Sequence, residues 1–409
     1  MSKSPAISIV GGVYEERCLR PAWHEIYGSA GRACSTIASL DEGIDVQLVC
    51  YADDNARHTL SARCALEGSR LCATPVMRTG SFTYAHCLAR PDRKGFGTGQ
   101  PPLRHQAHNI LRFGLLEGDA VVDGQNVVYD PQNPVDPAAF HANGSRASRL
   151  AVVLNEREAI ALTRLPAASA IELAQAVQAL NHAEAVVLKR GPLGACVLAP
   201  EGVFEVPAFE TTSVWALGSG DIFSAHFALR WAIENRSAAE SAWSASRATA
   251  MYCQTQGFPI AKALDAFASQ PVAASPRYLK GHVSTVYLAG PFFTLAQLWL
   301  VDQARSNLQD FGLNVFSPYH DVGYGNAMDV VEPDLEALRK SDLVLAIVDG
   351  LDSGTLYEVG YARARGIPVV IYCENESPES LKMMEGSGCI IRDDYVSAVY
   401  QTLWKAMAL

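Results

Sequence analysis

The feature that most constrains this chain is the repeated alternation of short apolar runs with helical stretches. Apolar runs at residues 7–10, 46–50 and 150–154 are typical of strands, and the clearest helical pattern covers residues 171–181. Continuous apolar strands separated by helices indicate a mostly parallel sheet that is covered by helices on both faces. The sequence therefore predicts an α/β fold.

The alternation is interrupted between residues 261 and 283. Within that interval, residues 270–276 contain two prolines and several small residues, a composition that resists regular structure and is typical of a linker. The pattern then resumes, with predicted strands at 286–289 and 343–348 and predicted helices at 295–310 and 332–340. We therefore predict two α/β domains, residues 1–270 and 283–409.

Charge and hydropathy limit the partners of this chain. The formal net charge is -10, and no block rich in lysine or arginine is present, which argues against nucleic acid as a partner. The longest apolar runs are far shorter than the ~20 residues of a membrane-spanning helix. Residues 1–5 also lack the apolar run of a signal peptide. We expect a cytoplasmic protein that acts on small molecules and contacts neither nucleic acid nor membrane.

The strongest chemical signal lies at residues 349–362, where an apolar strand leads through a Gly- and Ser-containing turn into a helix. Glu358 is one turn inside this helix, and Asp334 and Tyr287 are near other strand and helix ends. In open α/β sheets, ligands bind at the carboxyl ends of strands. Two carboxylates and a tyrosine there suit N-glycosidic chemistry, in which one carboxylate attacks the anomeric carbon and a second group handles the proton of the leaving base.

Structural roles are also possible for each of these residues. Asp352 or Ser353 can simply cap a helix, and Asp334 can be an ordinary acid of a first helical turn. Phe292 can belong to a core.

Together, the motifs at 287–292, at Asp334 and at 352–362 resemble those of the nucleoside 2-deoxyribosyltransferase family and its nucleotide N-hydrolase relatives, over residues 284–395. The resemblance implies a smaller, doubly wound, Rossmann-like parallel-sheet domain that uses no cofactor and forms homo-oligomers. It implies Glu358 as the nucleophile, Asp334 as the proton-handling acid and Tyr287 as the residue that positions Glu358. The acceptor, another base or water, stays open. The implied substrate-binding residues are Asp352, Gly290, Phe292 and Ser353.

Asp352 bears on the choice between nucleosides and nucleotides. In the related 5′-monophosphate hydrolases, the position six before the catalytic glutamate resembles a serine that can donate to phosphate. An ionised aspartate only accepts hydrogen bonds, and it repels a phosphate. We therefore expect a preference for a free 5′-hydroxyl, unless Asp352 merely caps the helix and faces away from the sugar.

A second signal is the turn Gly218-Ser219-Gly220-Asp221, which enters a predicted helix at 222–234. Glycines let backbone amides approach an anion, and a helix N-terminus favours negative charge. Asp221 is placed to accept a proton from a hydroxyl that attacks a phosphoryl group. Alone, such a turn is common. Polar segments at 129–134, 155–158 and 187–195 also follow predicted strands, where each can be an ordinary turn or helix cap.

In their order along the chain, this turn and these segments resemble the motifs of the PfkB carbohydrate-kinase family over residues 6–260. The resemblance implies a ribokinase-like α/β sandwich. Asp221 would be the catalytic base. ATP and Mg²⁺ would be the cofactors, with Glu158 acting on the metal indirectly. The implied cofactor-binding residues are Gly218, Ser219 and Gly220 as the anion hole, Asn155 and Glu158 at Mg²⁺ and the phosphates, and Lys189, Gly191 and Gly194 near ATP.

The sequence departs from this family at its substrate positions. The family's substrate-binding aspartate falls near Glu16, and Arg32 replaces an asparagine that binds sugar, which suits an anionic ligand. Trp215 and Ala216 stand where the family has Asp-Thr. Three hypotheses follow. The first is a bifunctional enzyme that breaks or exchanges a nucleoside N-glycosidic bond and phosphorylates a sugar or nucleoside. The second is an N-glycoside hydrolase controlled by a degenerate, ligand-sensing and oligomerising N-terminal module. The third is a non-enzymatic nucleotide sensor, for which Glu358 and Asp221 would be dispensable.

Overall fold

The computed structural model describes residues 5–40, 43–97, 99–133 and 135–409. The N-terminal residues 1–4 and Pro134, which belong to sequence features considered above, lie outside the described residues. The chain divides into two units. The N-terminal unit comprises Met1–Thr211 and Trp215–Pro271, and the C-terminal unit comprises Thr212–Val214 and Val272–Leu409.

The strands of the N-terminal unit belong to a large sheet and a small sheet. They are β1 (Ala6–Val10), β2 (Glu15–Cys18), β3 (Trp23–Ile26), β4 (Asp45–Ala52), β5 (Arg70–Pro75), β6 (Ser81–Tyr84), β7 (Asp92–Lys94), β8 (Leu103–Phe113), β9 (Ala120–Asp130), β10 (Arg146–Asn155), β11 (Ala185–Lys189), β12 (Ala195–Ala199) and β13 (Gly202–Val206). The helices are α1 (Gly28–Leu40), α2 (Asp54–Glu67), α3 (Glu156–Thr163), α4 (Ala170–Asn181), α5 (Ser219–Ala228), α6 (Ala238–Thr255) and α7 (Ala261–Ala266).

The large sheet has the strand order β13-β12-β11-β10-β9-β8-β1-β4-β5, and the small sheet has the order β3-β2-β6-β7. In the large sheet, β12 is antiparallel to both of its neighbours, and the other pairs are parallel. The run 150–154 of strand β10 is apolar throughout because both of its faces are buried. Ala151 and Val153 belong to one hydrophobic cluster, and Val152 and Leu154 belong to the cluster on the opposite face. Helices α1, α5 and α6 pack on the first face, and α3 and α4 pack on the second.

Two details of the N-terminal unit differ from the sequence prediction. Residues 120–122 and 127–129 are two short apolar runs that predict separate strands, but both belong to the single strand β9. Asn126 is accommodated because its side chain donates to Asn109 Oδ1 and to the Ala232 carbonyl. The predicted helix at 222–234 is α5 followed by a π-helical turn at Leu229–Ile233.

The C-terminal unit contains one sheet with the strand order β15-β14-β16-β17-β18, in which all pairs are parallel. Helices α9 and α14 pack on one side, and α11 and α12 contact each other on the other side. The strands are β14 (Thr285–Ala289), β15 (Asn314–Phe316), β16 (Leu343–Ile347), β17 (Val369–Tyr372) and β18 (Ile390–Arg392). The helices are α8 (Pro276–Leu279), α9 (Leu295–Asp310), α10 (Pro318–Asp321), α11 (Ala327–Lys340), α12 (Ser353–Ala364), α13 (Pro378–Gly386) and α14 (Tyr395–Ala408).

Strand order reverses at β14, because β15 lies on one side of it and β16 on the other. The crevice at the carboxyl ends of β14 and β16 is therefore a topological switch point, the usual ligand position in such sheets. The α/β class predicted for both parts of the chain is confirmed.

Helix α11 begins at Ala327, five residues earlier than predicted, and it contains Pro333 in its interior. A proline near the first turn is the common arrangement, which is why the sequence pattern predicts a later start. Pro333 is exposed, so water can bind the helical carbonyl that lacks its N–H donor. Among the helices of the described residues, none has the length and apolar content needed to cross a membrane.

Candidate functional site

The C-terminal switch point brings together a tyrosine and a glutamate that are far apart in sequence. Tyr287 is a buried residue of β14, and Glu358 is in the second turn of α12, which follows β16. The Tyr287 hydroxyl donates to Glu358 Oε1 at 2.5 Å. The Tyr287 ring stacks on Phe316 of β15 with 5.6 Å between ring centroids. The phenol and its hydrogen bond thus hold one oxygen of the carboxylate in a defined position.

Burial controls the ionisation of the carboxylates here. It raises the pKa of Glu358 to about 7, and the charges of Asp334 and Asp352 act in the same direction, against the hydrogen bond from Tyr287. Burial also raises the pKa of Asp334 to about 6. Asp334 Oδ1 is buried and has no hydrogen-bond partner among the residues that the structure describes. Perturbed carboxyl groups in a crevice are typical of sites where protons or nucleophiles act.

Asp352 caps helix α12. Its Oδ2 accepts from the Thr355 backbone N–H at 2.8 Å and from the Thr355 hydroxyl at 3.0 Å, so the structural role considered for this residue is present. Its charge nevertheless raises the pKa of Glu358, so Asp352 also lies near the candidate nucleophile. The preceding Leu351 has a φ of 50°, a costly conformation for a leucine that is most common at functional sites.

The positions of the other residues predicted at this site are also explained by local packing and helix structure. Gly290 follows β14, and a Cβ atom there would lie 3.1 Å from Cβ of Ile347, so close strand packing favours glycine. Ser353 is the exposed first residue of α12. The half-buried Phe292 ring packs against Phe293, Tyr319 and Tyr324, with centroid distances of 5.3, 5.3 and 5.8 Å.

Tyr319 and Tyr324 were not identified from the sequence. Tyr319 lies in the short helix α10, just after the end of β15, and Tyr324 follows α10. The available signals were the end of that strand and the aromatic content of the segment.

In the N-terminal unit, Arg32 of α1 forms two buried ion pairs. Its Nη2 donates to Glu16 Oε2 of β2 and its Nη1 to Asp221 Oδ2 of α5, each at 2.7 Å. The Arg32 side chain is only 1% exposed. Gln132 Nε2 donates to Asp221 Oδ1 at 2.7 Å, and the Gly28 N–H donates to Glu16 Oε2. The candidate base therefore accepts a hydrogen bond on each carboxylate oxygen.

The Gly218 turn packs directly on Arg32. Gly218 has a φ of 77°, which favours glycine, and a Cβ atom there would be 2.2 Å from Nε of Arg32. Since Gly218 precedes α5, the guanidinium lies beside the backbone that the sequence analysis assigned to an anion hole. This contact explains the first glycine of the motif without reference to a ligand.

Lys189, Asp130 and Glu158 form the second polar group of this unit. Lys189 Nζ donates to Asp130 Oδ2 at 2.6 Å. Burial raises the pKa of Asp130, and burial together with the charge of Asp130 raises the pKa of Glu158 to about 7. Asn155 and Glu158 also form the capping box of α3, so their structural role is present too. Gly194, in turn, packs against the backbone near Val206.

These residues suit a magnesium–phosphate site in one respect. Asp130 Oδ1 is buried and lacks a hydrogen-bond partner within the described part of the chain. Carboxylate oxygens are the ligands that Mg²⁺ prefers. The arrangement provides few direct ligands, because no set of three His, Cys, Asp or Glu side chains within the described residues is placed to hold a metal. Glu158 and Asp130 would therefore act on a metal together with water and phosphate oxygens.

A cavity of about 400 Å³ joins the two polar groups. The predicted residues that line it are Glu16, Asn155, Glu158, Lys189, Gly191, Gly218, Ser219, Gly220 and Asp221. Tyr14, Phe82, Tyr84 and Arg93 also line it. They were not identified from the sequence, because Phe82, Tyr84 and Arg93 lie on short strands of the small sheet and Tyr14 lies just before β2.

Comparison with known proteins confirms the predicted resemblances and their order. Residues 127–261 match the family model of the pfkB family carbohydrate kinases, and residues 286–394 match that of nucleoside 2-deoxyribosyltransferase. The chain thus contains a region similar to PfkB kinases, followed by a region similar to nucleoside 2-deoxyribosyltransferases. No curated protein matches the chain by sequence.

Solved structures resemble the N-terminal part. The chain is 16% identical to fructokinase from Vibrio cholerae O395, determined with fructose, ADP and calcium, with a TM-score of 0.50 over 65% of this chain and 99% of that protein. It is 14% identical to phosphofructokinase-2 from Escherichia coli, with a TM-score of 0.45 over 64% of this chain and 97% of that protein. The likeness to the fructokinase shows a ribokinase-like fold.

The raised pKa of Glu358 predicts a pH-dependent effect of Glu358→Gln on stability. Since the folded-state pKa lies above the ordinary value, folding favours the protonated acid. The resulting stability is present below the unfolded pKa of about 4.3 and is lost as the pH rises through about 7. The introduced amide stays neutral and can still accept from Tyr287. The variant should therefore unfold at a higher temperature than the parent at about pH 8, by the equivalent of roughly 1 kcal/mol or more, with little difference near pH 4.

Thermal unfolding monitored by circular dichroism at both pH values measures this effect. Glu385→Gln, which changes an exposed glutamate of α13, serves as the control and should show no pH-dependent gain. An equal shift for Glu358→Gln at both pH values would contradict the role of burial.

Proposed function

We propose that this chain is a bifunctional enzyme of nucleoside metabolism with domains at residues 1–270 and 283–409. The C-terminal domain cleaves or exchanges the N-glycosidic bond of a nucleoside, and the N-terminal domain phosphorylates a sugar or nucleoside with MgATP. The observation that carries the first activity is the hydrogen bond between Tyr287 and Glu358 at the switch point. The two family matches support the pairing of activities.

The C-terminal reaction proceeds by nucleophilic substitution at the anomeric carbon. Tyr287 holds Oε1 of Glu358, which leaves Oε2 to attack. As the new C–O bond forms, the C–N bond breaks and its electron pair moves to the base nitrogen, which takes a proton from Asp334. With a pKa of about 6, Asp334 is partly protonated near neutral pH. A second base, or water in a hydrolase, then attacks the same carbon, releases Glu358 and returns a proton to Asp334.

Glu358→Gln should lower the rate of base release or exchange by at least about a thousand-fold, because an amide cannot form the glycosyl ester. Release of free base from pooled nucleosides, followed by chromatography and mass spectrometry, measures the rate. Glu385→Gln is the matched control and should keep the parent rate. Turnover of Glu358→Gln at the parent rate would exclude Glu358 as the nucleophile.

Asp352 supports a preference for nucleosides over 5′-monophosphates. Both of its capping bonds use Oδ2, which leaves Oδ1 for a 5′-hydroxyl. A phosphate carries nearly two negative charges, and their repulsion by a carboxylate grows in a site with little water.

The parent should therefore have a higher kcat/KM for a nucleoside than for its monophosphate. Asp352→Ser should lower this ratio about ten-fold or more, because it removes the charge and supplies a donor while keeping a helix cap. Asp352→Asn separates loss of charge from gain of the hydroxyl. A parent enzyme that prefers the monophosphate would refute the assignment of Asp352 to the 5′ end.

In the N-terminal domain, Asp221 is proposed to accept the proton of the attacking hydroxyl beside the amides of Gly218–Gly220. ATP supplies the phosphoryl group and Mg²⁺ neutralises its charge. Lys189, close to the Gly191 turn, would hold phosphate oxygens. Glu158 and Asp130 would orient the metal through its water ligands.

The ion pair between Arg32 and Asp221 favours a second candidate function, a ligand-sensing module without kinase activity. An aspartate that already accepts from Arg32 and Gln132 is less available to a substrate hydroxyl. The fold alone does not distinguish the two functions.

ATP consumption with a panel of sugars and nucleosides distinguishes the two candidates. If the domain is a kinase, Asp221→Asn should lower phosphorylation at least about a hundred-fold and leave base release unchanged. Asp265→Asn, an exposed substitution in the same unit, should have no effect. Absence of phosphorylation in the parent would favour the sensing module, and unchanged phosphorylation in Asp221→Asn would exclude Asp221 as the base.

The remaining expectations concern assembly and location. A homo-oligomer is supported by exposed apolar side chains on the C-terminal unit, among them Phe293, Leu295, Tyr324 and Met328. A cytoplasmic location, with small-molecule partners and neither nucleic acid nor membrane, stays a prediction.

A further inference from the structure

One wall of the N-terminal cavity is the small sheet. Strand β6 pairs with β2 and with β7 so that Glu16, Phe82 and Arg93 are cross-strand neighbours, and such neighbours share one face of a sheet. Tyr84 lies two residues after Phe82 and therefore on the same face. Tyr14 packs edge-on against Phe82 with 5.2 Å between centroids. All five side chains line the cavity, so this wall combines a carboxylate, three aromatic rings and a guanidinium.

The carboxylate of Glu16 lies near Asp221, because both groups bind Arg32. Among the described residues, Gly28 and Arg32 both donate to Oε2 of Glu16, which leaves Oε1 for a substrate hydroxyl. Gln132 and Asp221 also line the cavity. The site thus has a polar part near Asp221 and an aromatic part on the small sheet.

This division matches the two halves of a nucleoside. A free sugar carries hydroxyls on every edge, and a hydroxyl buried against an aromatic ring without a partner is unfavourable. A nucleobase instead offers a flat face that stacks on aromatic side chains. The volume of about 400 Å³ lies in the usual range for small-molecule sites. The Arg93 guanidinium, 5.8 Å from the centroid of Phe82, carries donors for the carbonyl and ring-nitrogen acceptors of a base.

We propose that the N-terminal cavity binds a nucleoside, with the base against Tyr14, Phe82 and Tyr84 and the sugar hydroxyls toward Glu16 and Asp221. The inference rests on the proposed function, since it selects the nucleoside among the substrates of the proposed kinase site. Both units of the chain then act on the same class of compound.

The aromatic cluster provides a matched control. Phe96 packs against Phe82 and Tyr14 with centroid distances of 5.2 and 5.3 Å, but it is not among the residues that line the cavity. Phe82→Leu and Phe96→Leu therefore make the same chemical change in the same cluster, and only the first alters the cavity wall.

Calorimetric titration of the full chain tests the proposal, in a Glu358→Gln background that prevents base release. The probes are adenosine, uridine and D-ribose. Three proteins are compared: the Glu358→Gln protein and its Phe82→Leu and Phe96→Leu derivatives. The affinity for nucleosides should fall about ten-fold or more with Phe82→Leu and stay unchanged with Phe96→Leu. D-ribose should bind the N-terminal cavity weakly in all three proteins. Binding in the C-terminal unit is common to all three and cancels in the comparison. Tyr84→Leu repeats the test if Phe82→Leu does not fold.

Two results would overturn the proposal: equal nucleoside affinity with and without Phe82, or D-ribose binding as tightly as the nucleosides. The kinase activity is judged separately. If no probe is phosphorylated while Phe82-dependent nucleoside binding persists, the kinase proposal fails and the nucleoside site stands. If D-ribose is phosphorylated and the nucleosides are not, the nucleoside site is wrong and the kinase stands.

Discussion

The N-terminal unit depends on one buried guanidinium. Arg32 reaches from α1 to Glu16 on the small sheet and to Asp221 at the start of α5, and it contacts the Gly218 turn as well. A buried charge is tolerated only when it is paired, and loss of one partner leaves the others uncompensated. Without Arg32, the carboxylates of Glu16 and Asp221 would lose the cation that they share. The position of the small sheet against α5, and with it the shape of the cavity, therefore follows from these two ion pairs.

Cation pairing distinguishes three buried carboxylates of the N-terminal unit from the two at the C-terminal site. In the N-terminal unit, Glu16 and Asp221 share a cation, and Asp130 has Lys189. In the C-terminal unit, no salt bridge among the described residues reaches Glu358 or Asp334. Burial therefore brings the pKa of these two groups toward neutrality. Paired carboxylates hold a shape and orient ligands, whereas desolvated ones can exchange protons or attack carbon at neutral pH.

The large sheets were predictable, because a continuous apolar run such as 343–348 is typical of a strand that helices cover on both faces. The meeting of Tyr287 with Glu358 was predicted from the family resemblance. It also agrees with the sheet order, because β14, which carries Tyr287, is the parallel neighbour of β16, which leads into the helix of Glu358. The small sheet was not predictable. Its strands are three or four residues long and largely polar, so their structure depends on partners distant in sequence.

The ion-pair partners of Arg32 were not predictable from the sequence either. The sequence identifies it as a departure from the family and suggests an anionic contact, but nothing in its neighbourhood indicates that Glu16 and Asp221 are the anions. That pairing arises only when β2, α1 and α5 are brought together by the sheet.

The cap of α12 has a consequence for the evolution of this chain. Asp352 uses one oxygen to start the helix, and serine is an equally good residue for that purpose. If this side chain also holds the 5′ end of the substrate as proposed, the choice between nucleoside and nucleotide is separable from the stability of the helix. A lineage can then drift from one substrate to the other through a single position, without an intermediate that fails to fold.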